Sequence, residues 1–440
     1  MLNKLKSYYE YNKEQIEYVI SKLDIAILIL YGLFVFEAFL RSTTFEINWH
    51  PYYHMSLKVI LILLAFGKSL LKFMDNIPLY MLLGFCSVGF LLAYLQGNYG
   101  ILLELILFTI AFVDIDFNKV ITIFLAIISI SLFIIAIGSQ TNILNNLMYI
   151  TADGDSRISF GIHYPTNFAS YILFLCLAWT GIRKKRITFM ELLLMFSISK
   201  CVYHYCGART SSLCIILFTV ILFLYKLMYM LSNERTHKIS LFAKNISFIL
   251  CLAVPFCILL SLLSAYLYSP DNKVLAKLNT YLTNRLVIGK NYFDTTDIKL
   301  FGQSIDMGGN GGFTFSLLNY SSIGKSGYNF IDSSYLSILL RYGLFVFICV
   351  MILFTLTLFV ARKHHDYVTL IIIVIITVHS IMEHHLLDFN YNPFLFLLIS
   401  SYYGRHINKN KLNKSDAAES ENLLQNDLDI ISAKNREVQA

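Results

Sequence analysis

Apolar runs of roughly 20 residues follow one another through most of this 440-residue chain, with short polar gaps between them. At about 1.5 Å per residue, a helix of that length crosses the hydrocarbon core of a bilayer. Only 14% of the residues are charged and 57% are hydrophobic, which excludes an ordinary water-soluble globule. The sequence therefore predicts an all-α polytopic integral membrane protein with about 12 transmembrane helices. The expected spans are 24–41, 55–74, 78–95, 99–113, 120–138, 165–182, 187–205, 210–231, 245–268, 334–360, 367–384 and 389–404.

The basic residues favour alternate gaps, and the positive-inside rule places those gaps in the cytoplasm. We therefore expect a multi-pass protein of the cell membrane with both termini cytoplasmic. Residues 1–23 are expected to form a cytoplasmic, interfacial helix, 24–404 the transmembrane domain, and 405–440 a polar cytoplasmic tail. Nucleic acid is not an expected partner, because the basic residues do not form one patch. They are Lys68 and Lys72; Arg183 to Arg186; Arg235, Lys238 and Lys244; and Arg362 and Lys363.

One gap is much longer than the others. Residues 269–333 contain no spanning segment and fall on the outer side by alternation. Loops of this length are usually functional or disordered, and the aromatic content of this one argues against disorder. We therefore expect one long external loop that contributes to function.

Two clusters of basic residues precede spans on the predicted outer face. Arg157 and His163 lie in R-I-S-F-G-I-H-Y-P-T-N-F, just before the sixth span. Lys200 and His204 are four residues apart on one helix face in S-K-C-V-Y-H-Y-C-G-A-R-T-S-S, and Arg209 follows Gly207 in that motif. Arginine side chains that meet at a membrane surface suit a phosphate or pyrophosphate ligand, which a guanidinium group can bind with two hydrogen bonds. A single arginine at a helix end can equally extend to lipid head groups.

The densest group of titratable residues follows His379 in H-S-I-M-E-H-H-L-L-D-F-N-Y-N-P-F. It comprises Glu383, His384, His385 and Asp388. A glutamate or histidine of moderate pKa could deprotonate a hydroxyl group there. Glutamate and histidine also bind zinc or iron, but no second segment offers ligands at a recognisable spacing, so no metal is expected.

Arg285 and Asp332 bracket the long loop. Arg285 adds a further basic group near the outer face. Asp332 could cap the helix that follows it, or act on the side of an acceptor substrate, as could Asp388.

The order of these features resembles the Wzy-type polysaccharide polymerases, relatives of the O-antigen ligases among the GT-C-like membrane glycosyltransferases. The resemblance covers roughly residues 24–404. It rests on G-A-R-T-S-S after the seventh span, on N-R-L-V-I-G-K-N-Y-F-D-T-T-D-I-K-L-F-G-Q-S in the long loop, on D-S-S-Y-L-S-I-L-L-R-Y-G, and on the late acidic and histidine cluster.

The resemblance implies an enzyme that joins oligosaccharide repeat units linked to undecaprenyl pyrophosphate at the outer face of the membrane, without a metal or cofactor. Arg209 and Arg285, with Arg157, would hold the pyrophosphate, and Lys200 and His204 lie beside them. The group that activates the acceptor would be Glu383, His163, His384 or His385, and the sequence does not select one. Expected partners are the lipid-linked oligosaccharide, membrane lipid, a flippase and a chain-length regulator.

Three other functions fit parts of this pattern. A ligase that moves finished polymer from the lipid carrier to a surface acceptor needs the same arginines. A flippase or transporter of lipid-linked oligosaccharide also needs many spans, but its charges should line a central cavity rather than one face. A sensor or scaffold would explain the long loop but not the charged clusters beside it.

Overall fold

The computed structural model describes residues 11–45, 51–150, 156–231, 245–308, 313–316, 322–323 and 329–400. The basic gap at 232–244, residues 1–10 and the predicted tail at 405–440 lie outside these residues. Thirteen helices are assigned in the described part. They are α1 (Lys13–Arg41), α2 (Pro51–Lys72), α3 (Ile77–Gly97), α4 (Gly100–Ala111), α5 (Phe117–Gln140), α6 (Pro165–Arg183), α7 (Phe189–Cys206), α8 (Arg209–Leu231), α9 (Asn245–Cys251 and Ala253–Tyr266), α10 (Lys273–Tyr281), α11 (Arg285–Thr295), α12 (Ser334–Lys363) and α13 (Tyr367–His379).

Helices α1, α2, α3, α5, α6, α8 and α12 are long and apolar enough to cross a membrane. The two segments of α9 meet at a 43° bend and would make an eighth span if they cross together. The prediction of an all-α, multi-pass membrane protein is thus confirmed at this coarser level. Helices α4 and α13 have 12 and 13 residues, about 18 and 20 Å, which is less than the hydrocarbon thickness.

The predicted twelfth span, 389–404, is wrong as a helix over the residues that the structure describes. From 380 to 400 the chain forms turns and one short 3-10 helix, Pro393–Phe396. This segment returns through the interior of the bundle: Phe389 contacts Phe108 of α4, and Phe394 contacts Phe117 at the start of α5. Pro393 lacks an N–H group and disfavours a helical conformation at the residue before it, so the run is apolar without being helical.

The first helix also differs from the expectation. Lys13–Arg41 is one continuous helix, so residues 13–23 extend the first span instead of forming a separate interfacial helix. The long gap is not a simple loop either, because it contains α10 and α11. Residues 313–316 and 322–323 of that gap form strands β3 and β4.

Four short strands form an antiparallel sheet at the ends of the helices. Its order is β2 (Ser156–Ile158), β1 (Leu147–Ile150), β3 (Phe313–Ser316), β4 (Ser322–Ile323). Tyr149 lies opposite Arg157, and Met148 lies opposite Phe315. The sheet therefore joins the connection before α6 to the long loop.

A π-helical turn at Ile338–Tyr342 interrupts α12. The backbone of residues 299–303 runs alongside it: Gln303 N donates to Arg341 O, and Leu344 N donates to Lys299 O. A Cβ atom on Gly302 would lie 2.1 Å from Arg341 O, and one on Gly343 would lie 2.2 Å from Gly302 N. Both glycines have positive φ angles, so only glycine allows this close backbone contact.

A buried lysine joins the first helices at the end predicted to face the cytoplasm. The Lys68 side chain on α2 is 1% exposed, and its Nζ lies 2.7 Å from Asp24 Oδ1 of α1. The same amine donates to the carbonyl oxygens of Ala111 and Val113, at 2.8 and 2.7 Å. It therefore also satisfies backbone acceptors at the end of α4.

Replacing Lys68 by methionine should lower the free energy of unfolding by about 3 kcal/mol, because it leaves a carboxylate and two carbonyl groups without their buried partner. The matched control is Lys72→Met, since Lys72 pairs with the half-exposed Asp114 and should matter by less than about 1 kcal/mol. Unfolding titrations in mixed detergent micelles measure both. Equal losses in the two variants would contradict this interpretation.

Candidate functional site

The turn that follows α13 lies where α8, α11 and α12 begin. Ser334, the first residue of α12, holds the turn in place: its Oγ donates to Glu383 O at 2.5 Å and accepts from Leu386 N at 3.2 Å. Asn392 Nδ2 donates to Leu386 O at 2.8 Å. These side chains replace the hydrogen bonds that a helix would supply, and they fix the position of residues 383–388.

Arg285 binds two acids at this place. Its Nε lies 3.1 Å from Asp332 Oδ2, and its guanidinium group lies 3.4 Å from Glu383 Oε1. It also donates to the backbone carbonyl of Met382. The structure thus brings together three residues that the sequence singled out separately, and Arg285 is shared between two carboxylates in a buried setting.

Glu383 lies beyond the end of α13 and its side chain is 4% exposed. Its carboxyl group faces the guanidinium group of Arg285. The Thr210 side chain, at the start of α8, lies close enough to the same carboxyl group to interact with it. Glu383 therefore links α8, α11 and the turn.

Two histidines follow Glu383. His385 Nδ1 lies 3.2 Å from Asp388 Oδ2, which orients the ring. Within the described part of the chain, His385 Nε2 and His384 Nδ1 are buried and have no hydrogen-bond partner. Buried polar atoms usually have a partner, so these two nitrogens are available to form a hydrogen bond with a water molecule or a ligand.

Among the described residues, Glu383, His384 and His385 could hold a metal ion, since one ligand atom from each lies within 4.8 Å of those of the other two. The Arg285 guanidinium group beside Glu383 opposes a bound cation. That no metal takes part stays a prediction.

A cavity of about 420 Å³ opens beside the turn. His384, Asp388 and Arg341 are among the residues that line it. The Arg341 guanidinium carbon lies 4.4 Å from the ring centre of Tyr99, and Nη1 donates to Ser337 Oγ at 3.2 Å. Its buried Nε has no partner among the described residues. Arg341 therefore presents a cation to the cavity. Unlike Arg285, it forms no salt bridge among the described residues, although the Asp388 carboxyl group of the same cavity interacts with it electrostatically.

The other predicted site residues lie around this centre rather than in it. Arg209 is the first residue of α8 and is exposed, next to the Thr210 that contacts Glu383. Arg157 lies on β2, with its side chain against Gly207. Lys200 and His204 are exposed on α7, where Lys200 lies 5.4 Å from the ring centre of Phe196. His163 is exposed, and its backbone N donates to Ser42 O.

Sequence reasoning did not select Arg341 or Tyr99. Arg341 lies inside the apolar run that predicts the tenth span, although a charged residue inside a span is itself a functional signal. Tyr99 and Arg341 are far apart in sequence, so only the fold brings them together. Comparison with known protein families, with characterised proteins and with solved structures finds no match for this chain.

Replacing Arg285 by methionine should lower the free energy of unfolding by about 3–5 kcal/mol, because Asp332 and Glu383 would then be buried without a cation. Adding Glu383→Gln should restore part of the loss by removing one of the two negative charges. Lys290→Met, in an exposed pair with Asp294, is the control and should have little effect. A double variant no more stable than Arg285→Met would contradict the proposed charge balance. Thermal unfolding in detergent gives the comparison.

Proposed function

We propose that this protein polymerises oligosaccharide repeat units linked to undecaprenyl pyrophosphate into a surface polysaccharide, at the outer face of the cell membrane. The observation that carries the proposal is the cavity that Arg341, His384 and Asp388 line together. A cation and a proton acceptor around one cavity suit the transfer of a sugar from a diphosphate leaving group.

In the proposed reaction, an acceptor sugar hydroxyl attacks the anomeric carbon of the lipid-linked donor. A new glycosidic bond forms, the bond from the anomeric carbon to the pyrophosphate oxygen breaks, and undecaprenyl pyrophosphate leaves. The hydroxyl proton passes to His384, whose Nδ1 has no partner among the described residues. Arg341 stabilises the negative charge that develops on the diphosphate.

The predicted residues take different parts in this proposal. Arg285 holds Glu383 and Asp332 in place, because it is already shared between those two carboxylates. Arg209 and Arg157 lie farther out and would guide the diphosphate towards the cavity. His385 and Asp388 would orient the neighbouring His384. No metal takes part, since the arginines take the place that a divalent ion has in other transferases.

The finer topology belongs to the same proposal. Helices α4, α7 and α13 would complete the crossings beyond the spans already described, and the non-helical segment 380–400 would return the chain to the cytoplasmic side. Both termini would then be cytoplasmic. Non-helical backbone at membrane depth is tolerated where protein buries it, and residues 385–387 and 389 are buried here.

Arg341→Ala and His384→Ala should each lower polymer formation by about 100-fold or more, because each removes a group that acts on the transition state. The assay supplies purified lipid-linked repeat units to the protein in liposomes and measures high-molecular-weight product. Arg186→Ala, an exposed arginine at the other end of the bundle, should keep full activity. Normal polymer from Arg341→Ala, or loss of product with chelator, would overturn the mechanism.

The same liposomes separate the alternatives. A flippase would move lipid-linked units across the bilayer without lengthening them. A ligase would form no polymer from repeat units alone and would transfer finished polymer to an added surface acceptor. We expect lengthening without an added acceptor.

A further inference from the structure

Five ionisable side chains form a continuous row on α1, α2 and α4, away from the cavity residues discussed above. Arg41 Nη2 lies 2.5 Å from Glu37 Oε1, and Glu37 Oε2 lies 2.7 Å from His54 Nδ1. On the other side of the ring, His54 Nε2 lies 3.0 Å from Glu104 Oε1, which is 2.8 Å from Lys58 Nζ. Glu37 and Glu104 are buried, with side chains 2% and 10% exposed.

Both ring nitrogens of His54 contact a carboxylate oxygen, which determines how many protons the row must hold. A neutral imidazole has one N–H donor and one acceptor nitrogen, so it can donate to only one of the two carboxylates. The other nitrogen would then face a carboxylate oxygen, lone pair against lone pair. The observed geometry therefore requires one proton more than a neutral imidazole with two carboxylates carries.

That proton could in principle lie on the histidine or on a glutamate, and the flanking cations decide between them. Arg41 contacts Glu37 with both Nε and Nη2, and Lys58 contacts Glu104. A cation in contact favours the ionised form of a carboxyl group. Both glutamates are thus kept as carboxylates, and the proton lies on the imidazole ring.

We propose that Glu37, His54 and Glu104 form a proton-binding site whose bound proton locks α1, α2 and α4 together. Among the described residues, the charged groups of this row around the ring are Glu37 and Arg41 from α1, Lys58 from α2 itself and Glu104 from α4. An intramembrane ionisable group of this kind is a functional candidate in its own right. The inference does not depend on the proposed polymerase activity.

The lock has a structural path to the cavity. Gly100 and Ile101, the first residues of α4, line the cavity, and Tyr99 precedes them. A Cβ atom on Gly100 would lie 3.3 Å from Lys58 Nζ, so the end of the charged row lies close to a residue that lines the cavity. Loss of the proton would set a ring nitrogen against a carboxylate and loosen the contact between α2 and α4 beside the cavity.

Carbon-13 NMR of protein labelled at its 11 histidines, in lipid nanodiscs, tests the site directly. The His54 signal is the one missing from His54→Asn. We expect it to report a charged imidazolium at pH 8, where a solvent-exposed imidazole with an ordinary pKa of about 6.5 is neutral. Free histidine in the same buffer provides the reference signal. A neutral His54 at pH 7 in the folded protein would overturn the proposal.

A second variant covers the case in which His54→Asn does not fold. Glu104→Gln keeps the ring and removes one carboxylate, so one histidine signal should become neutral at a lower pH than in the wild type. No change in any signal would also overturn the proposal.

Hydrogen exchange tests the coupling to the cavity. Peptides covering residues 99–105 should lose protection between pH 6 and pH 9 in the wild type, after correction for the intrinsic exchange rate. In Glu104→Gln, a neutral His54 ring can donate to Glu37 and accept from the new amide group. The loss of protection should therefore be smaller in this variant. Equal protection of the wild type at both pH values would contradict the lock.

Discussion

The absence of water inside a bilayer is the constraint on which this structure depends. Backbone N–H and C=O groups there must find partners in the protein, and a helix supplies them within one segment. After His379 the chain leaves the helical conformation, and side chains take over that task. Ser334 binds the backbone on both sides of the turn, Asn392 binds Leu386 O, and Asn390 Nδ2 donates to the hydroxyl of Tyr171. Because these contacts fix the turn, Glu383 and the two histidines are held at a defined position beside the cavity.

The two central arginines differ in what surrounds them. Arg285 is placed between Asp332 and Glu383, so its charge is balanced inside the protein. Arg341 lies over the ring of Tyr99 and contacts Ser337, neither of which carries a charge. Weak hydration of the guanidinium group and stacking on an aromatic ring stabilise the cation there, together with the Asp388 carboxyl group that lines the same cavity. This difference supports the roles proposed for the two residues, in which Arg285 holds the carboxylates in place and Arg341 acts on the diphosphate.

The apolar runs predicted seven long helices near their observed positions, because a helix that crosses the hydrocarbon core must be long and apolar. These are α1, α2, α3, α5, α6, α8 and α12. Hydropathy could not predict the path of residues 389–400, since it counts apolar side chains and not the hydrogen bonds of the backbone. Asn390, Asn392 and Pro393 were the local signs against a helix. The late acidic and histidine cluster was visible in the sequence because its members are neighbours. By contrast, the other contacts join residues from separate parts of the chain, which only helix packing brings together. These are the contact of Arg285 with Glu383, and those of His54 with Glu37 and Glu104.

The π turn in α12 bears on how this chain can change by insertion and deletion. Such a turn holds one residue more than an α-helical turn needs, and each residue rotates a helix by about 100°. Deleting a single residue between Ile338 and Tyr342 would restore a regular helix while turning Ser334 and Tyr335 away from Glu383 O and Thr377 O, which they now bind. The extra residue therefore sets the register between the start of α12 and the turn after α13. A change in length at this point would separate the start of α12 from the turn after α13. Most changes of side chain in the same helix would leave these two segments aligned.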